Sequence, residues 1–368
     1  MYKDFIEKRT TLKIRETIEE REINILSPLA SKAKFSWGRA NPEAQEAIRT
    51  CFMIDRDRIV HSKSFRRLKD KTQVFIAPPG DHYRSRLTHT LEVSQIARTI
   101  GAGLNLNIDL IEAIALAHDV GHTPFAHSGE IILNELLPGG FRHSQNSVRV
   151  LTRIEKHRNQ NGLNLSGEVL DGVLYHSGYG KGKPQASTLE GQVIHLSDKI
   201  AYVQHDIDDS IRAGLLKLED IPSEYLETLG YTHSQRIATL VTDVIANTSR
   251  FMDKADGDIF VSFCPEIDKA LQGLRHFMFE FIYQGRVCQA ERRRATFIIE
   301  HLFDYFLKHP QKMTEFYREI AEQEGMETAV ADYISGMSDA FCIALFEDIY
   351  IPQSLVPNAL KSKVGDEY

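Results

Sequence analysis

The stretch AHDVGHTPFAH, residues 117–127, places His118, Asp119, His122 and His127 within eleven residues. Imidazoles and carboxylates are the side chains that ligate divalent ions or move protons near neutral pH. Four of them facing a core without a ligand or partner would be costly. Their faces can be read from spacing. His118 follows Ile111 and Ile114 by seven and four residues, which puts it on their buried stripe. His89 precedes Val93, Ile96 and Ile100 by four, seven and eleven residues and shares theirs. Asp198 stands four residues after Ile194 and heads a polar stripe with Tyr202 and Asp206, on a segment whose apolar stripe is Val193, Leu196, Ile200, Val203, Ile207. His89, His118, Asp119 and Asp198 are therefore expected to look inward from three helices. Two imidazoles and two carboxylates suit one divalent transition-type ion per chain (Mn, Fe, Co, Ni or Zn, with Mg as the harder alternative) and leave positions open for water and substrate.

Three further signals surround this set. GHTPFAHSGEIILNELL reads as a new helix with Thr123 as N-cap and Pro124 at its first position. His127 and Glu130 then fall three apart on one face, where a carboxylate can fix a tautomer and raise basicity for proton transfer. Upstream, RDRIVHSKSFRRLKDKTQVF packs Arg56, Arg58, Lys63, Arg66, Arg67, Lys69 and Lys71 into sixteen residues of a chain whose net charge is −7. Such a run is usually a solvated face, but beside a metal it could gather a polyphosphate. Arg86 lies three residues before His89. Six of the fifteen histidines (82, 89, 118, 122, 127 and 143) share about sixty residues. Physics alone thus reaches a metal-dependent hydrolase acting on an anion.

The elements that must position these groups read as helices. RLTHTLEVSQIARTIGAGLNL, IDLIEAIALAHDV, EGQVIHLSDKIAYVQHDIDD, QRIATLVTDVIANTS and RRRATFIIEHLFDYFLKHP all carry apolar residues at helical spacing. IFVSF (259–263) is the best strand candidate, and loops are expected at APPGDHY (77–83), LPGGFRH (137–143) and SGYGKGKPQAS (177–187). The expected architecture is all-α: an N-terminal arm (1–50), a metal-binding core (51–230) and a helical region (231–368) packed on it as one globular unit. Hydrophobic content of 42% and charged content of 26% are those of an ordinary globular protein. The acidic balance argues against wholesale nucleic-acid coating. No apolar run approaches a membrane span, and the charged start MYKDFIEKRTTLKIRETIEERE does not read as a secretory leader. Cys51, Cys264, Cys288 and Cys342 are scattered and form no CxxC pair, so the expected compartment is reducing and cytoplasmic.

The order His89 … His118-Asp119 … Asp198 resembles the HD-domain metal phosphohydrolases. The flanks HSKSFRRLKDKTQVF, RSRLTHTLEVSQIAR, LAHDVGHTPFAHSGE, FRHSQNSVRVL and LSDKIAYVQHDIDD are similar to those of the deoxynucleoside triphosphate triphosphohydrolases, the dGTPase-like branch, over roughly residues 50 to 215. That resemblance implies cleavage of a dNTP between the 5′ oxygen and the α-phosphorus, giving deoxynucleoside and tripolyphosphate. It implies His89, His118, Asp119 and Asp198 as metal ligands and His127 with Glu130 as the catalytic pair, His143 being the next candidate for proton transfer. It also implies His122 and His143 beside the phosphates, Arg86 and Lys199 as phosphate-binding residues, and Gln73, Tyr202 and Asp206 around the deoxyribose. An all-helical fold, a homo-oligomer (usually a hexamer) and an allosteric dNTP come with the family; the preferred base does not.

Two rival readings stand beside it. In an HD-type phosphodiesterase or nucleotidase acting on another nucleotide, His122, His127 and His143 would serve a second metal, but no HHExxDGxGYP-like signature is present. A non-catalytic nucleotide sensor would not need His127, Glu130 and all four ligands intact.

Overall fold

Helix ends are set where the sequence supplies caps. The computed structural model describes residues 13–73, 84–158, 160–178, 185–252 and 259–352. In chain order its helices are α1 (Ile14–Ile25), α2 (Cys51–Val60), α3 (Lys63–Arg67), α4 (Arg86–Gly103), α5 (Ile108–Ala117), α6 (Ala126–Leu136), α7 (His143–Arg149) and α8 (Gly167–Leu174). There follow α9 (Leu189–Arg212), α10 (Ser223–Leu229), α11 (His233–Met252), α12 (Pro265–Met278), α13 (Arg286–Lys308), α14 (Glu315–Glu324), α15 (Met326–Ser335) and α16 (Asp339–Tyr350). The hydroxyls of Ser85 and Thr188 accept from Thr88 N and Gly191 N at the starts of α4 and α9. Asn107 Oδ1 accepts from Leu110 N at the start of α5. Each cap satisfies an amide that the first turn leaves without a partner.

The fold is all-α, as expected. Among the described residues the only named strands are a two-residue antiparallel pair, Lys156–His157 with Gln160–Asn161. The strand expected at 259–263 does not form. Its amides are bonded by helix side chains instead: Val261 N donates to Gln192 Oε1 and Ser262 N to Thr248 Oγ1. The loop at 77–83, with His82, and residues 179–184 of the third loop lie outside the described residues.

Two apolar clusters hold the helices. In the first, α4 lies along α5 and α9, with α2, α8, α11 and α12 around them. Val93, Ile96 and Ile100, Ile111 and Ile114, and Val193, Ile200 and Ile207 are all buried there, so the stripes read from sequence do face one core. In the second, Ile132 and Leu133 of α6 and the buried Phe125 pack against Ile299, Leu302, Phe303 and Phe306 of α13 and against α15. The helix carrying His127 and Glu130 is thus supported by the C-terminal helices. All four cysteines are free thiols, and no single described helix is long and apolar enough to cross a membrane.

Candidate active site

Three helices deliver the expected ligand set to one point. His89 projects from α4, the turn after α5 hands on His118 and Asp119, and Asp198 comes from the middle of α9. His89 Nε2 is 3.1 Å from Asp198 Oδ1 and 3.8 Å from Asp119 Oδ2. His118 Nε2 is 3.5 Å from Asp119 Oδ2 and 3.9 Å from Asp198 Oδ1. Two ligands about 2.1 Å from a shared ion would stand about 3.0–3.4 Å apart, so these separations are near those of a shared ion. The tautomers agree. His118 Nδ1–H donates to Ala115 O at 2.6 Å, which leaves Nε2 as an acceptor, buried and without a hydrogen-bond partner. An orphaned lone pair of this kind is what a metal site requires. Behind His89, Nδ1 faces His205 Nδ1 at 3.2 Å, and His205 Nε2 is paired with Glu92. That relay orients His89 so that Nε2 points at the carboxylates. Burial works against ionised Asp119 and Asp198, but the surrounding histidines, and Arg86 beside Asp119, hold both carboxyls below their usual range. The donor set therefore fits a divalent ion.

A second group lies against the first. Glu130 was expected to hold His127, and His127 Nδ1 does lie 3.5 Å from its Oε2. The firmer partner is His143, whose Nδ1 is 2.9 Å from Glu130 Oε1 and whose backbone N–H donates to the same oxygen at 2.9 Å. His127 is about half exposed, facing the cleft. Burial opposes charge on both Glu130 and His143, but hydrogen bonds from His127 and His143 hold Glu130 well below the usual carboxylate range, and the bond to Glu130 raises His143. His143 Nε2 meets His176 Nε2 at 3.1 Å, and His176 Nδ1–H donates to Val173 O. His176 is thus an acceptor, and a protonated His143 donates both to it and to Glu130. His122 stacks on His143 at 4.1 Å. Burial, Arg86 and His143 push His122 well below its ordinary value, so it is neutral.

The helix that carries His127 starts later than expected. Thr123 and Pro124 lie before it, and α6 begins at Ala126. The Thr123 hydroxyl donates to Ala126 O at 2.9 Å. Phe125 and Ala126 both have positive φ, 62° and 52°. Neither is a glycine, so each costs roughly 1–3 kcal/mol that neighbouring contacts must offset. This abrupt turn lies between His122, which is buried, and His127, which is exposed, and brings both rings to the cleft, 5.6 Å apart.

The cleft has a volume of about 570 Å³ and is lined by Gln73, Arg86, His89, Asp119, His122, His127, His143, Asp198, Lys199 and Tyr202, among others. The expected substrate residues thus converge, with two differences. Arg86 is bonded to Asp119 Oδ2 through Nη1. Asp206 is not part of the cleft wall; it lies buried in α9, its carboxyl raised well above the ordinary value by burial and by Asp209. His176, His195, Gln272 and Arg275, which no motif or spacing in the sequence marks, also line the cleft. Gln272 and Arg275 come from α12, far along the chain. His205 and Glu92 carry a signal in the sequence: they stand seven residues from Asp198 and three from His89. The basic run divides. Arg58, Lys63, Arg66 and Arg67 line a different cleft, and Lys71 reaches the site by donating to His122 O.

The HD domain family matches residues 86–203, and the phosphohydrolase-associated domain matches residues 261–348. A deoxyguanosinetriphosphate triphosphohydrolase-like protein of Clostridium tetani is 55% identical, covering 94% of this chain and 98% of that one. This chain belongs to the deoxyguanosinetriphosphate triphosphohydrolase-like family. Members of the same name from Caldanaerobacter subterraneus and Desulfatibacillum aliphaticivorans are 52% and 42% identical, each over 93% of this chain. The HD match begins at Arg86 and ends just after Tyr202, so it spans the four residues around the expected ion. The phosphohydrolase-associated match contains Gln272 and Arg275 of the cleft and the helices that support α6. The resemblance read from the flanks and this family membership agree. The chain thus carries an HD domain followed by a phosphohydrolase-associated region, and its His/Asp cluster could hold a divalent metal.

Proposed function

We propose that this chain hydrolyses deoxynucleoside triphosphates to deoxynucleoside and inorganic tripolyphosphate. The observation that carries the reading is the orphaned Nε2 of His118, set among His89, Asp119 and Asp198 on the wall that also bears His127, Lys199, Gln73 and Tyr202. A divalent ion held by His89, His118, Asp119 and Asp198 would supply Lewis-acid polarisation of the α-phosphate. The protein's own groups do the rest. Lys199 and the protonated His143 offset triphosphate charge, and Gln73, whose buried Oε1 has no partner, is suited to accept from the sugar hydroxyl. Water attacks phosphorus, the bond to the 5′ oxygen breaks, and that oxygen takes a proton from His127, whose Nδ1 is held by Glu130. His143 is the alternative donor, and its commitment to Glu130 and His176 makes it the second choice.

The deciding experiment incubates each dNTP with protein and a divalent metal and separates products by charge. Nucleoside plus tripolyphosphate is expected. Monophosphate plus pyrophosphate would point to a nucleotidase or phosphodiesterase, a reading favoured only by the closeness of His143 and His176 to Asp119. Deoxy- and ribonucleotides are expected to differ by about a hundredfold, because a 2′-hydroxyl would be buried unpaired beside Tyr202. Equal rates on GTP and dGTP would contradict that pocket.

A further inference from the structure

The turn at 122–126 carries His122 on one side and His127 on the other, and its two positive-φ residues need outside support. That support comes from the start of α16. Asp339 is buried, and its two carboxylate oxygens divide between two distant segments. Oδ1 accepts from Phe125 N at 3.0 Å, within the turn. Oδ2 accepts from Thr72 N at 2.9 Å, one residue before Gln73. Beside it the Lys71 ammonium, also buried, donates to His122 O and, at 2.8 Å, to Ser335 O of α15. One carboxylate thus ties the residue that precedes the histidine helix to the segment that presents Gln73, and both ties originate more than two hundred residues along the chain.

We propose that Asp339 is a positioning residue for the reaction, fixing the 122–126 turn so that His127 faces the cleft while Gln73 is held opposite. The inference rests on the proposed hydrolysis, with His127 in its stated role. It assigns a task to the last helix of the phosphohydrolase-associated region: that helix completes the catalytic site without touching substrate. A second link from the same region serves as the contrast. Asp332 of α15 binds Arg149 of α7 through paired bonds of 2.7 and 2.6 Å, and neither side chain is hydrogen-bonded to residues 122–126. Asp332 anchors the region, whereas Asp339 positions a turn.

The test compares Asp339→Asn with Asp332→Asn in the full chain. An amide has one acceptor and one donor end, so Asn at 339 can keep one of the two backbone ties and must oppose a donor to the other. For Asp339→Asn we expect bound metal unchanged and kcat reduced about tenfold or more with KM within about twofold, since an ångström of misplacement acts on the transition state. Asp332→Asn should lower the melting temperature and leave kcat near wild type. An unchanged kcat in folded Asp339→Asn, or an equal loss in Asp332→Asn, would overturn the assignment. Should Asp339→Asn fail to fold, Asp339→Glu, which keeps the charge and displaces it by one methylene, is read by the same criteria. Hydrogen exchange separates this proposal from the hydrolytic one, because it needs no substrate. If the wild type turns over no dNTP, faster exchange in the variant at 71–73 and 119–127, with α11 unchanged, still supports the positioning role. Unchanged exchange at those segments overturns it.

Discussion

His127 and His143 compete for one carboxylate, and the geometry gives them different tasks. His127 stands half exposed at the cleft with a single 3.5 Å tether, while His143 is buried between Glu130 and His176. His127→Ala is therefore expected to retain its metal and substrate affinity and to lose about 10²–10⁴ in kcat, the usual cost of a missing general acid. Elemental analysis and single-turnover rates would check both halves. Loss of the ion would instead make His127 a ligand. The buried pair has a pH signature. His143 lies above its ordinary 6.5, so its contribution to stability is complete below that value and is lost as pH rises through the folded pKa. Glu130 lies below its ordinary 4.5, so its contribution is present above 4.5 and is lost as pH falls. The windows overlap from 4.5 to 6.5. In metal-free protein, the stability lost in His143→Gln should be greatest within that range and shrink as pH rises above it. A difference that grew with pH would mean that the imidazole is buried neutral.

At the scale of elements, the short turn between α5 and α6 is held by α7 as well as by α16. Gly121 N donates to Ser147 Oγ at 3.0 Å, Ser147 Oγ donates to His118 O, and Asn146 Nδ2 donates to Gly121 O. The two segments approach so closely that a Cβ on Gly121 would lie 2.1 Å from Ser147 N. That contact is backbone, which no rotamer change relieves. Gly121→Ala should cost at least about 1–3 kcal/mol, as overpacked sites do. Because the strain falls between His118 and His122, metal affinity should fall with it. Denaturant midpoints and metal titration would show whether the two losses travel together; stability lost with affinity intact would mean that the turn absorbs the strain elsewhere.

Across the whole molecule, Ile154 borders both cores, and α6 belongs to the second. Its outer face packs on α13 through Ile132 and Leu133, and Ile299 and Leu302 of α13 are fully buried. Leu302→Ala should destabilise by about 2–5 kcal/mol, the range for truncating a buried leucine. Since the second core supports the helix bearing Glu130, partial denaturant should abolish turnover before the first core unfolds. Activity and α4–α5–α9 hydrogen exchange measured on one denaturant series would test that order; coincident loss would mean that the two cores unfold as one.

Which residues share a face was legible from the chain alone. Helical period follows from local geometry, so His89 with Val93 and Ile96, or Asp198 with Tyr202, could be placed without a structure. The flanking motifs further identified the family, and the ligand set came with both readings. The relations between segments that no local rule connects came from packing. His176 joins His143 because α8 ends beside α7, and Arg275 reaches the cleft because α12 packs on α9. The same holds for errors. Thr123 has the composition of an N-cap, yet Asp339 takes the Phe125 amide and the helix starts at Ala126. IFVSF has the composition of a strand, yet Gln192 and Thr248 bind its amides before any strand can. Backbone groups bond to whichever partner packing brings within reach, and that partner can be distant in the chain.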